Sequence, residues 1–178
     1  MQTCYEFLKK AGTYYLATNE DGQPRVRPFG TIHLFDGKLY FQTGKCKSVS
    51  RQLHANPKLE ICAMVGGEWL RIEASAVEDD CRDARVSMLN AYPELQTMYS
   101  PDDGNTEVWF LRNVTATFYS FTAEPRTVKN AAAATDGTDL VALMGPDGTT
   151  PIWSVRKTSG GLDVMATPQG GTLTDVGT

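Results

Sequence analysis

Apolar and polar residues alternate at a spacing of two along much of residues 13–130, a repeat typical of β-strands with one buried face. Asp36-Gly37 lies between two of these runs and predicts a tight hairpin. Arg112 and Asn113 are predicted to form the turn between the last two strands. The predicted strands are residues 14–17, 25–35, 38–43, 59–64, 68–77, 107–111 and 115–121.

Three short helices are predicted beside these strands. The first has Thr3 as its N-cap, and Glu6 reaches back to complete a capping box. The other two cover about residues 48–55, where Asn-Pro ends the helix, and residues 81–91. Six or seven mostly antiparallel strands with few helices favour a mainly β fold, either a small barrel or a sandwich.

The composition changes after Asn130. Residues 131–178 hold eight of the 16 glycines and one aromatic residue, Trp153. Short strands are predicted at residues 139–144, 152–155 and 162–165, separated by Pro-Asp-Gly and Gly-Gly turns. We therefore predict one domain over residues 1–130 and a C-terminal appendage of unknown role, which is either a small β-rich module or a partly disordered tail.

The overall composition is that of a globular protein and limits the classes of partner. Of the 178 residues, 41% are hydrophobic and 21% are charged, the net charge is -4 and the pI is about 5.2. A mildly acidic chain argues against nucleic acid as the main partner. No apolar run approaches the roughly 20 residues of a membrane span. We expect no membrane partner and, because the N-terminus lacks the apolar stretch of a secretory signal, a cytoplasmic location.

The four cysteines lie far apart in the sequence, at Cys4, Cys46, Cys62 and Cys81. They form no Cys-x-x-Cys pair, and the chain has only two histidines. This pattern favours reduced thiols and predicts no metal site. Cys46 lies between two lysines near a helix start, so it is either a redox-sensitive thiol or an ordinary surface residue.

Positive charge is concentrated in one stretch of this acidic chain. Between Arg25 and Arg51 there are six lysines and arginines and one acid, Asp36. A Thr-Gly-Lys-Cys-Lys-Ser turn in this stretch opens the second helix, where backbone amides without intrahelical acceptors attract anions. The combination favours binding of a phosphate-bearing small molecule. The alternative is a scatter of solvated surface charges.

The order of the motifs resembles a known family. Five motifs follow one another: an Arg-Val-Arg-Pro strand, an Asp-Gly hairpin, a Tyr-Phe-Gln-Thr strand end, a Lys-x-Lys-Ser helix start and Gln-Leu-x-x-Asn-Pro. A Trp-Leu-Arg-Ile-Glu-Ala strand then leads into Val-Glu-Asp-Asp. Over about residues 1–129 this order resembles the pyridoxamine 5'-phosphate oxidase-like flavoproteins, the FMN-binding split barrels. The resemblance implies a split β-barrel that binds FMN and acts as an oxidoreductase of unassigned substrate. It also implies a homodimer with the flavin at the interface and a small-molecule electron donor or acceptor.

The resemblance also implies a set of cofactor-binding residues, and it identifies no catalytic residue. The residues implied to hold the phosphate are Arg25, Arg27, Lys47 and Ser48. Those implied to lie along the flavin ring are Pro28, Phe29, Gly30, Gln42 and Thr43, and Trp69 and Arg71 contribute to the pocket, often across the dimer interface.

Alternatives remain open at several of these positions. Arg27 is otherwise a surface ion pair, Trp69 a core aromatic residue and Lys45 a solvated neighbour. The two histidines, His33 and His54, are interpreted as packing or surface residues rather than acid–base catalysts.

The function also has alternatives. The chain is otherwise a carrier or sensor that binds flavin or haem without turnover, or an assembly protein, and the deazaflavin F420 is an alternative cofactor. The vitamin B6 oxidases of this family carry a C-terminal segment rich in Arg and His, and residues 131–178 contain no His. We therefore do not expect the vitamin B6 oxidase reaction.

Overall fold

The computed structural model describes residues 1–130 and four strand segments of the tail. The helices are α1 (Gln2–Ala11), α2 (Ser48–Ala55) and α3 (Arg82–Ala91), with a 3-10 helix at Pro93–Thr97. The strands of the first part are β1 (Tyr14–Glu20), β2 (Gln23–Phe29), β3 (His33–Phe35), β4 (Lys38–Gly44), β5 (Lys58–Val65), β6 (Glu68–Glu78), β7 (Thr106–Ser120) and β8 (Arg126–Asn130). Those of the tail are β9 (Asp139–Met144), β10 (Pro151–Thr158), β11 (Gly161–Ala166) and β12 (Thr174–Gly177). None of the helices in the described parts is long and apolar enough for a transmembrane span.

The first seven strands form the predicted split barrel. Their hydrogen-bonded order is β2-β1-β5-β6-β7-β4-β3, and every pairing is antiparallel. Within the described residues β2 and β3, the two ends of this order, are joined by the chain but not by strand pairing. The long strand β7 holds the barrel together, because its first half pairs with β4 and β6 and its second half with β6 and β8.

The predicted hairpin at Asp36-Gly37 is confirmed. Asp36 and Gly37 have φ angles of 48° and 70°, and Phe35 pairs with Lys38 on either side of them. Two consecutive positive φ angles are typical of a type I′ turn, whose twist matches that of the flanking strands. The single long strand predicted over residues 25–35 is interrupted, because the chain leaves the β2 ladder after Phe29 and pairs again only from His33.

The prediction of Thr3 as an N-cap is wrong. The helix begins two residues earlier than this prediction, with Met1 at the N-cap and no side-chain cap hydrogen bond. Glu6 instead accepts a hydrogen bond of 2.7 Å from the side-chain amide of Gln2, four residues before it. This i, i+4 pair on the exposed face takes the place of the expected capping box.

The predicted turn at Arg112 and Asn113 is also wrong, because both residues lie within β7. Asn113 has a φ of 55°, and the register between β6 and β7 shifts between Glu73 and Ser75. A left-handed residue opposite a register shift is a β-bulge, which bends the strand without ending it. The local sequence signal was therefore real, but it marks a bulge rather than a turn.

The barrel interior is filled by the buried face of these strands and by α1. Tyr14, Leu16, Ile61 and Ile72 are fully buried there, and Leu8 of α1 packs against them. A smaller cluster under α3 joins the outer side of β4 and β7 to the helix; its members are Tyr40, Ala84, Met88, Tyr92 and Val108. Leu95 of the 3-10 helix packs against this second cluster, which connects the segment after α3 to the barrel.

The tail contains the three predicted strands, β9 to β11, and a fourth strand, β12, that the sequence did not indicate. Each of the four pairs with its neighbour, and β9 pairs with β8 at Asn130↔Val141. The tail strands thus continue the same sheet outward from β8. Whether residue 130 is a domain boundary stays a prediction.

Candidate functional site

A cleft of about 210 Å³ lies where β2 leaves the barrel, beside the end of β4. The turn before α2 and the segment that contains the 3-10 helix close its other sides. Its lining residues are Arg27, Pro28, Phe29, Gly30, Thr31, Gln42, Thr43, Lys47, Val49, Leu95 and Tyr99. Two of these side chains are cationic and none is acidic, so the cleft is positive on a chain whose net charge is -4.

Most of the sequence-predicted cofactor residues meet in this cleft. Those that line it are Arg27, Pro28, Phe29, Gly30, Gln42, Thr43 and Lys47. Ser48 is exposed at the first position of α2, directly after Lys47. Arg25, Trp69 and Arg71 do not line the cleft of the single chain.

Arg27 is held rigidly at the edge of the cleft. Its Nη1 donates to the hydroxyl of Thr18 at 2.7 Å and its Nη2 to the side-chain carbonyl of Gln52 at 2.6 Å. Nη1 also lies 3.1 Å from the carbonyl oxygen of Leu16. Partial burial, with the nearby cation of Arg25, lowers the pKa of the Arg27 guanidinium from its usual value. These bonds leave its Nε–H without an acceptor among the described residues, so the guanidinium is fixed and still has a donor for an anion.

The turn before α2 brings a second cation and helix amides to the same cleft. Lys47 is the N-cap of α2, and its ammonium group lies 5.8 Å from the centre of the Tyr99 ring. The amides of Ser48 and Val49 belong to the first helical turn, which has no intrahelical acceptors. Asn105 supports this turn, because its carbonyl oxygen accepts from Lys45 N at 2.8 Å and its side chain from Cys46 N at 3.1 Å.

Two adjacent residues of β4 carry polar atoms without a partner. Both amide atoms of the Gln42 side chain and the Thr43 hydroxyl are buried and make no hydrogen bond within the described structure. Such atoms are uncommon in folded proteins, because each costs about 1–3 kcal/mol when left unpaired. Since both residues line the cleft, a polar ligand bound there would satisfy them.

Sequence reasoning missed four lining residues. Thr31 bridges the gap after β2, and its hydroxyl accepts a 3.1 Å hydrogen bond from the amide of Gln42. Val49 lies on α2, and Leu95 and Tyr99 lie in and after the 3-10 helix. Thr31 directly follows the predicted residue Gly30, and Val49 directly follows Ser48 in the first turn of α2. The sequence could therefore have indicated both. Leu95 and Tyr99 had no such signal, because packing of α3 on the barrel decides where this segment runs.

The family follows from comparison of the sequence with known proteins. The profile of the family described as pyridoxamine 5'-phosphate oxidase matches residues 1–120. The chain belongs to the pyridoxamine 5'-phosphate oxidase family. A comparison with curated proteins gives no match.

Several solved structures are similar to this chain. A nimC/nimA family protein from Clostridium acetobutylicum is 41% identical, with a TM-score of 0.69 over 71% of this chain and 92% of that one. General stress protein 26 from Bacillus anthracis is 15% identical, with a TM-score of 0.56 over 70% of this chain and 93% of its own. A pyridoxamine 5'-phosphate oxidase-related, FMN binding protein from Nostoc punctiforme is also 15% identical, with a TM-score of 0.56, and its match covers 99% of this chain and 95% of that one. The last two show the fold alone.

The remaining predicted residues of this family member lie on the outer surface of the barrel. Arg25 forms an ion pair with Glu20 at 2.9 Å, and Arg71 forms one with Glu60. Trp69 is not a core residue; its ring stacks on that of Tyr119 with 5.2 Å between centroids.

Proposed function

We propose that the protein is an FMN-binding oxidoreductase whose cofactor lies in the cleft between β2, β4 and α2. The observation that carries the proposal is the pair of unpartnered residues, Gln42 and Thr43, beside two cations in a cleft without acids. FMN matches this arrangement, since it combines an anionic phosphate with a polar, planar ring system. Haem matches it less well, because no histidine, cysteine or methionine lines the cleft and only Tyr99 among the lining residues is of an axial-ligand type.

Each part of the cleft has a distinct role toward FMN. Lys47, the fixed guanidinium of Arg27 and the first amides of α2 would hold the phosphate. Gln42 and Thr43 would hydrogen-bond the polar edge of the ring. The exposed backbone of residues 28–30 would run along the ring, while Leu95 and Tyr99 would shield it from water.

When bound, the flavin supplies the redox chemistry itself, by hydride or single-electron transfer. The chain would contribute binding, orientation and positive charge near the ring, which favours the reduced, anionic form of the cofactor. No side chain is assigned a proton-transfer role. His33 is bonded to the Ser87 hydroxyl at 2.8 Å and does not line the cleft, in agreement with its interpretation as a packing residue.

The proposed functional unit is a homodimer with one flavin at each end of the interface. A cleft of about 210 Å³ is smaller than the 300–1,000 Å³ usual for cofactor sites, so a single chain offers only part of the site. The outer face of the barrel exposes large apolar side chains on neighbouring strands, including Tyr15, Val26 and Met64, which are 54–68% exposed. A second copy covering this face would also bring Trp69 toward the flavin.

The dimer is tested by placing a charge on this face. Met64→Glu should give a monomeric mass in light scattering and weaken FMN binding, because the partner would no longer complete the cleft. Met98→Glu is the matched control for the mass, since Met98 is at least as exposed, 68% against 57% for Met64, but lies in the connection after the 3-10 helix. A monomeric mass for the FMN-loaded wild type would contradict the proposal.

Turnover is tested by mixing the FMN-loaded protein with NADH or NADPH without oxygen and following the flavin absorbance. The proposal expects bleaching by one of the two donors and recovery on adding an electron acceptor. A flavin that neither donor reduces would favour the carrier or sensor alternative.

Pyridoxamine 5'-phosphate should yield little or no pyridoxal 5'-phosphate, since the tail has no histidine. The reduced cysteines, all four without disulfide partners, fit the cytoplasmic location that we propose.

A further inference from the structure

A cluster of metal-ligating side chains lies outside the cofactor cleft. His54 of α2, Glu78 at the end of β6 and Glu107 of β7 each present one ligand atom, and these atoms lie within 4.8 Å of one another. None of the three lines the cleft. The sequence alone predicted no metal site. The three residues are separated by 24 to 53 positions in the sequence, and only the fold brings them close to one another.

The hydrogen bond of His54 fixes which ring nitrogen faces the two carboxylates. Nδ1 lies 2.8 Å from the carbonyl oxygen of Ser50, and a carbonyl can only accept, so Nδ1 carries a hydrogen and donates it. Nε2 therefore points at Glu78 Oε2, 3.0 Å away, and at Glu107 Oε1, 4.0 Å away. Metal-bound histidines are usually oriented in this way, with one nitrogen bonded to a carbonyl and the other directed at the ion.

The buried carboxylate of Glu107 requires a positive charge nearby. Its side chain is 1% exposed, and the two donors that reach it, the Ser50 hydroxyl at 3.0 Å and the Trp109 indole at 3.2 Å, are neutral. Buried charges are normally paired or bound to a metal. Lys45 does not supply this charge, because its ammonium group pairs with the other carboxylate, Glu78, at 3.7 Å.

We propose that His54, Glu78 and Glu107 bind a first-row divalent cation of the Zn²⁺ type. One imidazole nitrogen and two carboxylate oxygens are a donor set for such ions. Ligand atoms around tetrahedral zinc are about 3.4 Å apart, and the two distances from Nε2, 3.0 and 4.0 Å, lie on either side of this value. His54 is half exposed, so solvent reaches the fourth position. A proton on Nε2 is the competing occupant, but its single hydrogen bond serves Glu78; Glu107 then lies 4.0 Å from Nε2 and keeps only its two neutral donors.

The ion would connect three elements that surround the phosphate-binding turn. His54 lies on α2, whose first turn faces the cleft, and Glu107 pairs with Thr43 across β7 and β4. Binding would hold α2 against β6 and β7. Because an ion that binds only the folded protein stabilises it by mass action, the melting temperature should rise with metal concentration.

The test is calorimetric titration of the full-length protein with Zn²⁺ after removal of metals by a chelator. We expect one equivalent bound, and at least about tenfold weaker binding for His54→Gln and for Glu78→Gln. His33→Gln removes the other histidine, and Glu60→Gln removes a surface carboxylate; both controls should bind as the wild type does. The side chains changed in the two ligand variants are 51% and 29% exposed, so loss of folding is not expected, and circular dichroism checks it.

Titration with Co²⁺ separates this site from the exposed thiols of Cys46, Cys62 and Cys81. Nitrogen and oxygen ligands give visible ligand-field bands without the intense near-ultraviolet band of cobalt bound to thiolate. The proposal expects the first pattern in the wild type and its loss in His54→Gln. Absence of binding, equal binding in the ligand variants, or a thiolate spectrum would overturn the proposal and leave the proton as the occupant. None of these outcomes bears on FMN binding.

Discussion

Gln42 and Thr43 show at the scale of single residues how this chain departs from a purely structural β-barrel. Both lie on β4 and are buried, yet their side-chain polar atoms have no partner within the described structure. Gln52 is buried as deeply, but its side chain accepts hydrogen bonds from Thr18 and Arg27. The contrast separates a glutamine that stabilises the fold from one that is available to a ligand.

Replacing Gln42 by leucine should therefore separate stability from binding. We expect the free energy of unfolding of the cofactor-free protein to stay unchanged or to rise, because an unpaired buried amide is removed. The affinity for FMN should fall by about 1–3 kcal/mol. Urea unfolding and fluorescence titration measure the two quantities.

The matched control for this prediction is Gln52→Leu. It should lower the free energy of unfolding, because Thr18 and Arg27 would lose their acceptor. Equal losses of stability in the two variants, with FMN affinity unchanged in Gln42→Leu, would contradict the assignment of Gln42 to the site.

At the scale of elements, the loop before β7 supports the turn that precedes α2. Asp103 accepts hydrogen bonds from the amides of Ser100, Asn105 and Thr106 at 2.7–2.9 Å, and from the Thr106 hydroxyl. Asn105 in turn holds the amides of the turn that ends at Lys47. Although desolvation raises the pKa of Asp103, these backbone hydrogen bonds outweigh it and lower the pKa to about 2.

Asp103→Asn should lower the free energy of unfolding by about 1 kcal/mol at pH 7. This value is low for hydrogen bonds to a charged group, because the carboxylate is exposed and solvent screens its charge. The folded-state pKa lies below that of the unfolded chain, so this stabilisation is present above about pH 4 and is lost as the pH falls toward 2. Urea unfolding at pH 7, 4 and 2.5 measures it. Asp102→Asn, which removes only a surface ion pair with Arg82, should have a smaller effect. A pH-independent difference between wild type and Asp103→Asn would contradict this account.

The elements also show what the sequence predicts and why prediction fails. Helix α2 and the Asp36-Gly37 hairpin were predicted correctly, because strong local signals, Asn-Pro and Asp-Gly, set their limits. Asn113 gave a turn signal inside β7 because a bulge and a turn both need a left-handed residue. Most of the cleft was predictable because β2, β4 and α2 follow one another in sequence. Tyr99 was not, since α3 and its cluster place that segment by contacts distant in sequence.

At the scale of the whole molecule, the tail strands add to the sheet on the side of β8, whereas the cleft lies at β2, β4 and α2. Every residue assigned to FMN lies within residues 1–130. The match to the Nostoc punctiforme protein covers 99% of this chain, so it extends over the tail. We therefore predict a structural rather than a cofactor-binding role for the tail.

A chain that ends at Asn130 should therefore fold, dimerise and bind FMN with near-native affinity. Its stability should fall, because β8 loses the partner that pairs at Val128↔Leu143. The alternative is that Trp153 on β10 covers the flavin. In that case truncation would weaken FMN binding and expose the bound flavin to quenchers, which fluorescence titration would show.

The central claim is that the cations of this cleft bind the phosphate of FMN. The most direct measurement is the dissociation constant of FMN and of riboflavin, which lacks the phosphate, for the wild type and for Lys47→Ala. We predict that the wild type binds riboflavin much more weakly than FMN, and that Lys47→Ala weakens FMN by about 1–3 kcal/mol while leaving riboflavin unchanged. Lys45→Ala is the control, because Lys45 pairs with Glu78 and does not line the cleft. Equal affinities of the wild type for the two flavins, or an equal loss for both in Lys47→Ala, would contradict the claim.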